Sequence, residues 1–351
     1  MTSMTVGAIE FVPQFNEELK SAVTKCLELS PQGKCSTAPI GTWDVSKITD
    51  VSGIFSNAKI FNADISNWDM SNVQSTRNLF FGATEFNAEL ANWDVSSVTH
   101  MNRMFSQATK FNSDISKWDV SSVIDMEQMF DGATVFNQDI SNWEVSRVAN
   151  MGFMFHNALS FNADISKWDV SKVLVMKEMF NYAISFAADI SKWDVSRVVN
   201  MHRMFSQASS FNKDLSGWFA PKVTDISYMF YRAVAFNSDI SGWDVSSVTD
   251  MQFMFYGAMS FTHKLCGNDW IRSKAIDEEM FTGSPGSKSS VVCTTTPSYV
   301  NPDKIPYTLH FNNFCVSSKN VALPQTNAPS GDYHIKACVN QCRKVKLEMN
   351  L

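Results

Sequence analysis

No stretch of this chain approaches the ~18–20 consecutive apolar residues that a membrane-spanning helix needs, which argues against insertion into a bilayer. There is no basic excess either. Lysine and arginine number 29 against 35 aspartates and glutamates, for a net charge of −6, and the pI is near 5.5. That balance lacks the footprint of a nucleic-acid binder. Catalytic signatures are missing: there is no H-E-x-x-H, no G-x-S-x-G and no phosphate-binding glycine loop. His100, His156, His202, His263, His310 and His334 are scattered, and each reads as a lone surface histidine. A serine or cysteine nucleophile requires a positioned base, which nothing here supplies. The expectation is a protein that is not an enzyme and holds no cofactor or metal.

Cysteine is absent between residues 36 and 265. Cys26 and Cys35 precede that interval, and Cys266, Cys293, Cys315, Cys338 and Cys342 follow it. No C-x-x-C pair exists, so zinc-type spacing is absent. Stapled ends are expected, with Cys26 bonded to Cys35 and Cys266 to Cys293; the odd count leaves at least one thiol over. The first residues, MTSMTVGAIEFVPQF, lack the basic region and long apolar core of an export signal. Disulfides nevertheless imply an oxidising compartment, and the cysteine placement carries more weight. An extracellular or cell-surface location is the expectation.

What the chain has is a repeat. Trp43, Trp68, Trp93, Trp118, Trp143, Trp168, Trp193, Trp218 and Trp243 stand 25 residues apart without insertion. Phe55 through Phe255 and Phe61 through Phe261 keep the same step. A fixed period of this size signals a solenoid, in which each unit buries its apolar face only against its neighbours. Within the unit, M-x-x-M-F-x-x-A places apolar residues at i, i+3, i+4 and i+7, one face of a short helix. Asp50, Ser75, Asp125, Asn150, Asn200, Asp225 and Asp250 stand where such a helix would need an N-cap, with His100 and Val175 poorer there. The remainder, F-N-x-D-I-S-x-W-D-V, suits a strand, with a turn at Ser-x so that both Ile and Trp turn inward. Strands pairing in parallel at ~4.8 Å would make nine coils roughly 40 Å long.

The predicted fold is therefore an α/β repeat solenoid with one short helix and short parallel strands per 25-residue coil, capped at both ends. An all-β solenoid is the alternative. Residues 1–36 read as a helical N-terminal cap, in which Leu19, Val23, Cys26 and Leu27 recur at helical spacing. Residues 37–265 hold nine repeats, 266–293 a closing coil, and 294–351 a linker and irregular tail. In that tail LHFNNFCV is a candidate strand and Cys342-Arg343-Lys344-Val345-Lys346 a solvated basic end. Two coils deviate. Thr76 and Leu79 replace methionines, and Phe219-Ala220-Pro221 replaces D-V-S, where Pro221 predicts a kink.

The W-D-V-S-x-V-x-x-M-x-x-M-F-x-x-A-x-x-F-N-x-D-I-S unit resembles the BspA-type, leucine-rich-repeat-like units of bacterial surface proteins, which also occur in some single-celled algae. ELKSAVTKCLELSPQGKCSTAPIGTWDVS and KLCGNDW with MFTGSPGSKSSVVC are similar to the cap segments of the algal members. The resemblance implies a leucine-rich-repeat-like solenoid with a surface or adhesive role.

Two carboxylate columns raise the question of metal. One runs from Asp64 through Asp239 and the other from Asp44 through Asp244. Repulsion between stacked charges needs relief, and the D-x-S order fits Asx-type capping better than calcium. The asparagines from Asn62 to Asn237 read as an amide ladder, interrupted at Ala187. The methionines read as core filling.

Recognition must use the variable positions. On the outward part of the expected helices these include Phe81, Phe153, Tyr182, Tyr228, Tyr231, Phe253 and Tyr256. The last four fall in adjacent coils and could make an exposed aromatic patch; cover by the C-terminal tail is the first reading, and a candidate contact site for a protein or glycan, close behind it, is the second. The expected role is a non-catalytic interaction protein. A structural spacer or self-associating wall component comes second. An ice- or mineral-binding solenoid comes last, because Thr49, Thr99, Thr224 and Thr249 are too intermittent.

Overall fold

A computed structural model of the protein describes residues 11–35 and 38–293. The linker and tail expected at 294–351, with the candidate strand, the basic end, Cys315, Cys338 and Cys342, lie outside the described residues.

Helix α1 (Asn16–Leu29) opens the described chain and buries Leu19, Val23 and Cys26. A single 3-10 turn (Ile40–Thr42) leads into the repeats. Each coil then pairs with the next through one parallel bridge, in the unbroken series Asp50, Ser75, His100, Asp125, Asn150, Val175, Asn200, Asp225, Asp250 and Ile276. Strands β1 (Lys264–Leu265) and β2 (Ser287–Lys288) pair in parallel, with the short helix α2 (Asn268–Arg272) between them.

The structure corrects the helix expected in each coil. No repeat contains one; the M-x-x-M-F-x-x-A run is a chain of overlapping turns. In the coil from Met101, the Met104 N–H donates to the Met101 carbonyl at 3.1 Å and the Ala108 N–H to the Phe105 carbonyl at 3.0 Å. The third residues of these turns are left-handed, Arg103 at φ 58° and Gln107 at φ 61°, which is the type II turn geometry. The alternate N–H groups, of Met101, Arg103, Phe105 and Gln107, donate to carbonyls of Asp125, Glu127, Met129 and Asp131 in the next coil. Those N–H groups would close a helix on itself; here they join coil to coil. A turn closed between i and i+3 puts its two flanking side chains together much as a helical turn does. That is why the apolar spacing misleads.

The expected N-cap column is the bridge column instead. Its side chains still act as short acceptors: Asp50, Asp125, Asn150, Asn200, Asp225 and Asp250 each accept from the N–H two residues on, at 2.8–3.0 Å. The chemistry of a cap is present, but it closes an Asx turn with no helix behind it. The strand expected at F-N-x-D-I-S-x-W is likewise absent. Asp64 Oδ1 accepts from the Ser66 N–H at 2.9 Å, and the Trp68 N–H closes a turn on the Ile65 carbonyl at 3.1 Å. That turn, at Ser66-Asn67, does bring Ile65 and Trp68 to the interior together.

The core is one continuous column. The two phenylalanines of a coil stack face to face, Phe105 on Phe111 at 3.7 Å, and each stacks on its counterpart in the next coil, Phe105 on Phe130 at 5.7 Å. The methionines from Met101 to Met254 fill the same interior and are almost wholly shielded. A fully buried phenylalanine contributes about 1.5–3 kcal/mol. The indole N–H of each repeat tryptophan after the first donates to a carbonyl of the coil before it, as Trp93 does to Ile65 at 3.0 Å. Thr76 and Leu79 sit fully buried in the methionine places. Pro221 breaks no bridge, since Asn200, Asp225 and Asp250 pair in sequence; the kink expected there does not interrupt the ladder.

Each end of the stack carries one disulfide. Cys26 is bonded to Cys35 and Cys266 to Cys293, with Cα separations of 5.2 and 5.1 Å. Each bridged segment lays a glycine on a terminal phenylalanine ring, Gly33 on Phe61 and Gly286 on Phe261, so closely that a Cβ would overlap the ring.

Candidate functional site

The turn run faces outward through its variable positions, and the 25-residue step sets residues i and i+25 side by side. Two left-handed columns result. One holds Arg103, Gln128, Phe153, Glu178, Arg203, Tyr228 and Phe253; the other includes Gln107, Asn157, Tyr182, Gln207 and Arg232.

Tyr228, Tyr231, Phe253 and Tyr256 come together as a two-by-two block. Tyr228 stacks on Phe253 at 4.8 Å and Tyr231 on Tyr256 at 5.2 Å, with the diagonal pairs within each coil at 5.6 and 5.9 Å. All four are half-buried. They stand on turns, not on helices. The sequence reading missed the cations that complete the block: the Arg203 guanidinium lies 4.6 Å from the Tyr228 ring and that of Arg232 5.3 Å from Tyr231. Arg203 is 25 residues before Tyr228, and that offset was the signal that could have found it.

The four described histidines all have partners: His100 Nδ1 lies 2.9 Å from Thr99 Oγ1 and His263 Nε2 3.1 Å from the Asn237 carbonyl, and the 25-residue offset explains the other two. His156 Nδ1 lies 2.7 Å from Asp131 Oδ1, and Asp131 also accepts from Ser106 at 3.3 Å and Gln128 at 3.1 Å. His202 Nδ1 lies 2.7 Å from Ser227 Oγ, edge-on to Tyr228. Neither is a lone side chain. His310 and His334 lie outside the described residues. The Ser227 hydroxyl donates to Asp225 at 2.6 Å, so its proton is held by the carboxylate and the imidazole is not its base. Burial acts to raise the Asp225 pKa, but the His202 imidazole 3.7 Å away and the hydrogen bonds from the Ser227 hydroxyl and N–H outweigh it and hold the carboxyl below its ordinary value.

The carboxylate columns are hydrogen-bonded caps. Asp94, Asp114, Asp164 and Asp169 are each held below the ordinary value by the serine side chain and then the backbone N–H two residues on. Asp139 is lowered in the same way, first by the Ser141 N–H, although Asp164 and Asp114 push it up. The hydrogen bonds therefore outweigh the repulsion between stacked charges. Among the described residues no three His, Cys, Asp or Glu converge as a metal would require, and no helix is long and apolar enough to cross a membrane.

Stacked coils joined by directional backbone ladders, with a shared aromatic interior and disulfide-closed ends, define a repeat protein. The family described as "Mycoplasma protein of unknown function, DUF285" matches residues 17–135, 90–187 and 161–270, and the chain belongs to that family. A solved structure described as "Crystal structure of TLR13-ssRNA13 complex" is similar at 8% identity and a TM-score of 0.17, over 77% of this chain and 52% of that one. The chain thus spans about half the length of that structure. Comparison with curated proteins gives no match.

Proposed function

We propose that the protein is a non-catalytic interaction scaffold of the leucine-rich-repeat-like, BspA type, acting outside the cell or at its surface. Its contact site is the aromatic block of Tyr228, Tyr231, Phe253 and Tyr256. The observation that carries this is the placement of four aromatic rings and two guanidinium groups on one patch of two neighbouring coils and the arginine before them. Tyrosine and arginine are the residues that most often dominate binding energy at an interface. Stacked in columns, they lose little freedom on binding, so their contacts are cheap in entropy. A protein surface is the favoured partner; a glycan is the second. The net charge of −6 supports neither a nucleic acid nor an anionic membrane as partner. Two disulfides support an oxidising location.

The test is a variant with Tyr228, Tyr231, Phe253 and Tyr256 all changed to alanine, compared with the wild type for melting and for binding to immobilised cell-surface extracts and glycans. Unchanged melting with lost binding supports the reading. Full binding by a folded variant refutes it. If wild type finds no saturable ligand and instead sediments as growing assemblies, the chain is a structural component.

A further inference from the structure

One column on the side of the stack is apolar and exposed. It lies six residues after each tryptophan, where a backbone ladder joins the coils. The Ala149 N–H donates to the Ile124 carbonyl at 2.9 Å, Leu174 to Ala149 at 2.8 Å and Val199 to Leu174 at 2.9 Å. Counted from Trp43, these are coils four to seven. Ile124 is 38% exposed, Leu174 37% and Val199 39%. On either side the column turns polar, with Gln74 and Thr99 before it and Thr224 and Thr249 after it. A single exposed aliphatic residue needs no explanation. A run of them in consecutive coils, held on a rigid ladder, marks a contact surface.

We propose that a second copy of this chain covers the column, running antiparallel about a two-fold axis through coil five. Such an axis sets coil four against six, three against seven, two against eight, one against nine, and five against itself. Each column then faces its own counterpart, and the residues fit that reversal. A residue on the axis meets itself and must be small; coil five places Ala149 there, with Gly152 beside it. Next to the axis, Ile124 meets Leu174 of the second copy. Three residues further along each coil, Glu127 meets Lys177 of the second copy. The Glu127 carboxylate takes no bond among the described residues, and Lys177 rests on the Phe153 ring at 4.9 Å. Two residues before the column stand Arg147, Lys172, Arg197 and Lys222, none of them ion-paired among the described residues. The reversal sets Lys172 against Ser122, Arg197 against Ser97 and Lys222 against Asn72. Only Arg147 meets its like, and Glu144 stands three residues before it in each copy. A parallel pair would turn the columns over, bringing Lys172 to Lys177 and leaving Glu127 against Ser122. Exposed ion pairs add little affinity, so the apolar centre holds the dimer and the charges set its direction. The pair is closed by its symmetry and does not grow into longer assemblies.

Sedimentation of the full chain from low to high micromolar concentration tests this. The wild type should pass from monomer to dimer and no further. Leu174→Asp should remove the dimer and leave the melting of the monomer unchanged, because Leu174 lies outside the core. Glu127→Lys should weaken the dimer about tenfold, and Glu127→Lys with Lys177→Glu should restore it. Under oxidation, Ala149→Cys should give a disulfide-linked dimer beyond any that the wild type forms. Thr249→Cys should not, because position 249 faces Thr49 of the second copy. A wild type that stays monomeric, a dimer indifferent to Leu174→Asp, a double reversal that fails to restore it, linkage as ready through Thr249→Cys as through Ala149→Cys, or growth beyond the dimer each overturns the proposal. Mass is read without a ligand, so the result is separate from binding at the aromatic block.

Discussion

Replacing Ala187 by asparagine should stabilise the protein, because one link of a hydrogen-bonded column is missing there. Asn62 Oδ1 accepts from the Asn87 N–H at 2.8 Å, Asn87 from Asn112 at 2.7 Å, Asn112 from Asn137 at 2.9 Å and Asn137 from Asn162 at 2.8 Å. Asn162 then accepts from the Ala187 N–H at 2.8 Å, but alanine has no acceptor to pass on, and the column resumes only where Asn212 accepts from Asn237 at 2.8 Å. The sequence suggested a ladder of amide on amide; the structure shows each side-chain oxygen bonded to a backbone N–H of the next coil. Ala187→Asn offers that oxygen to the Asn212 N–H. A net hydrogen bond is worth about 1 kcal/mol, and fixing the new side chain takes back roughly half of it. A gain of about 0.5 kcal/mol raises the melting temperature of a body this size by roughly 1–2 °C. Thermal unfolding by circular dichroism gives the stability, and hydrogen exchange at Asn212 gives the location, where the amide should slow. Asn112→Ala should do the reverse, costing about 0.5–1.5 kcal/mol. If Ala187→Asn leaves both readouts unchanged while keeping the wild-type spectrum, the column carries no energy and the account is wrong.

Trp143→Phe should cost about 2–4 kcal/mol in chemical denaturation, since it removes the indole donor to the Ile115 carbonyl at 3.1 Å and leaves a void beside Trp118 and Trp168; a loss under half a kcal/mol would contradict it. Gly33→Val should destabilise the N-terminal end, because the residue sits at φ 81° and its Cβ would come 2.7 Å from the Phe61 ring; exchange in α1 should rise before exchange in the central coils does. Acid should unfold the stack through the capped aspartates. Their folded pKa values lie below the ordinary 3.8, so their stabilisation is complete above that value and is lost as pH falls through the lowered values. Asn at positions 114, 139 and 164 keeps the acceptor without the titration, so the melting temperature of that triple variant should fall less between pH 4 and 2; an identical acid limb would rule the mechanism out.

Much of the architecture was legible because stacking leaves its period in the chain. Nine tryptophans in register required a shared interior, and the turn that brings Ile65 and Trp68 inward followed from both being apolar. The local backbone was not legible by the same route. Met101, Met104, Phe105 and Ala108 satisfy helical spacing and turn spacing equally well. The evidence against a helix lay in the residues between them. Gly82, Gly132 and Gly257, with Asn57 and Asn157, occupy one left-handed column; in a helix each glycine would be unfavourable by about 1 kcal/mol, yet the chain returns to them. Reading the variable positions by column would have favoured turns over helix.

The same column reading governs the surface. Read along the chain, Arg203 and Tyr228 are strangers and His156 is alone. Read down the stack, Arg203, Tyr228 and Phe253 form one consecutive pile, and His156 meets Asp131. A side chain on this scaffold is chosen against its neighbours one turn of the stack before and after, so a contact surface can be assembled by substitutions 25 residues apart without touching the buried phenylalanines, methionines and tryptophans. Val95, Val120, Val145, Val170, Val195 and Val245 stay sealed at 1–2% exposure while the outward column changes from Arg103 to Gln128 to Phe153 to Glu178. Moving the aromatic block two coils toward the N-terminus, by placing Tyr, Tyr, Phe and Tyr at positions 178, 181, 203 and 206, arginine at 153 and 182 to match Arg203 and Arg232, and the native residues of 178, 181, 203 and 206 at 228, 231, 253 and 256, should therefore carry partner binding with it, with Asn181 and Ser206, now shielded, giving way to rings that occupy the same rows as Tyr231 and Tyr256. The transplanted chain should bind as the wild type does and melt within a few degrees of it, whereas binding that stays lost in a folded transplant would mean that recognition depends on the neighbouring C-terminal end as well as on the block.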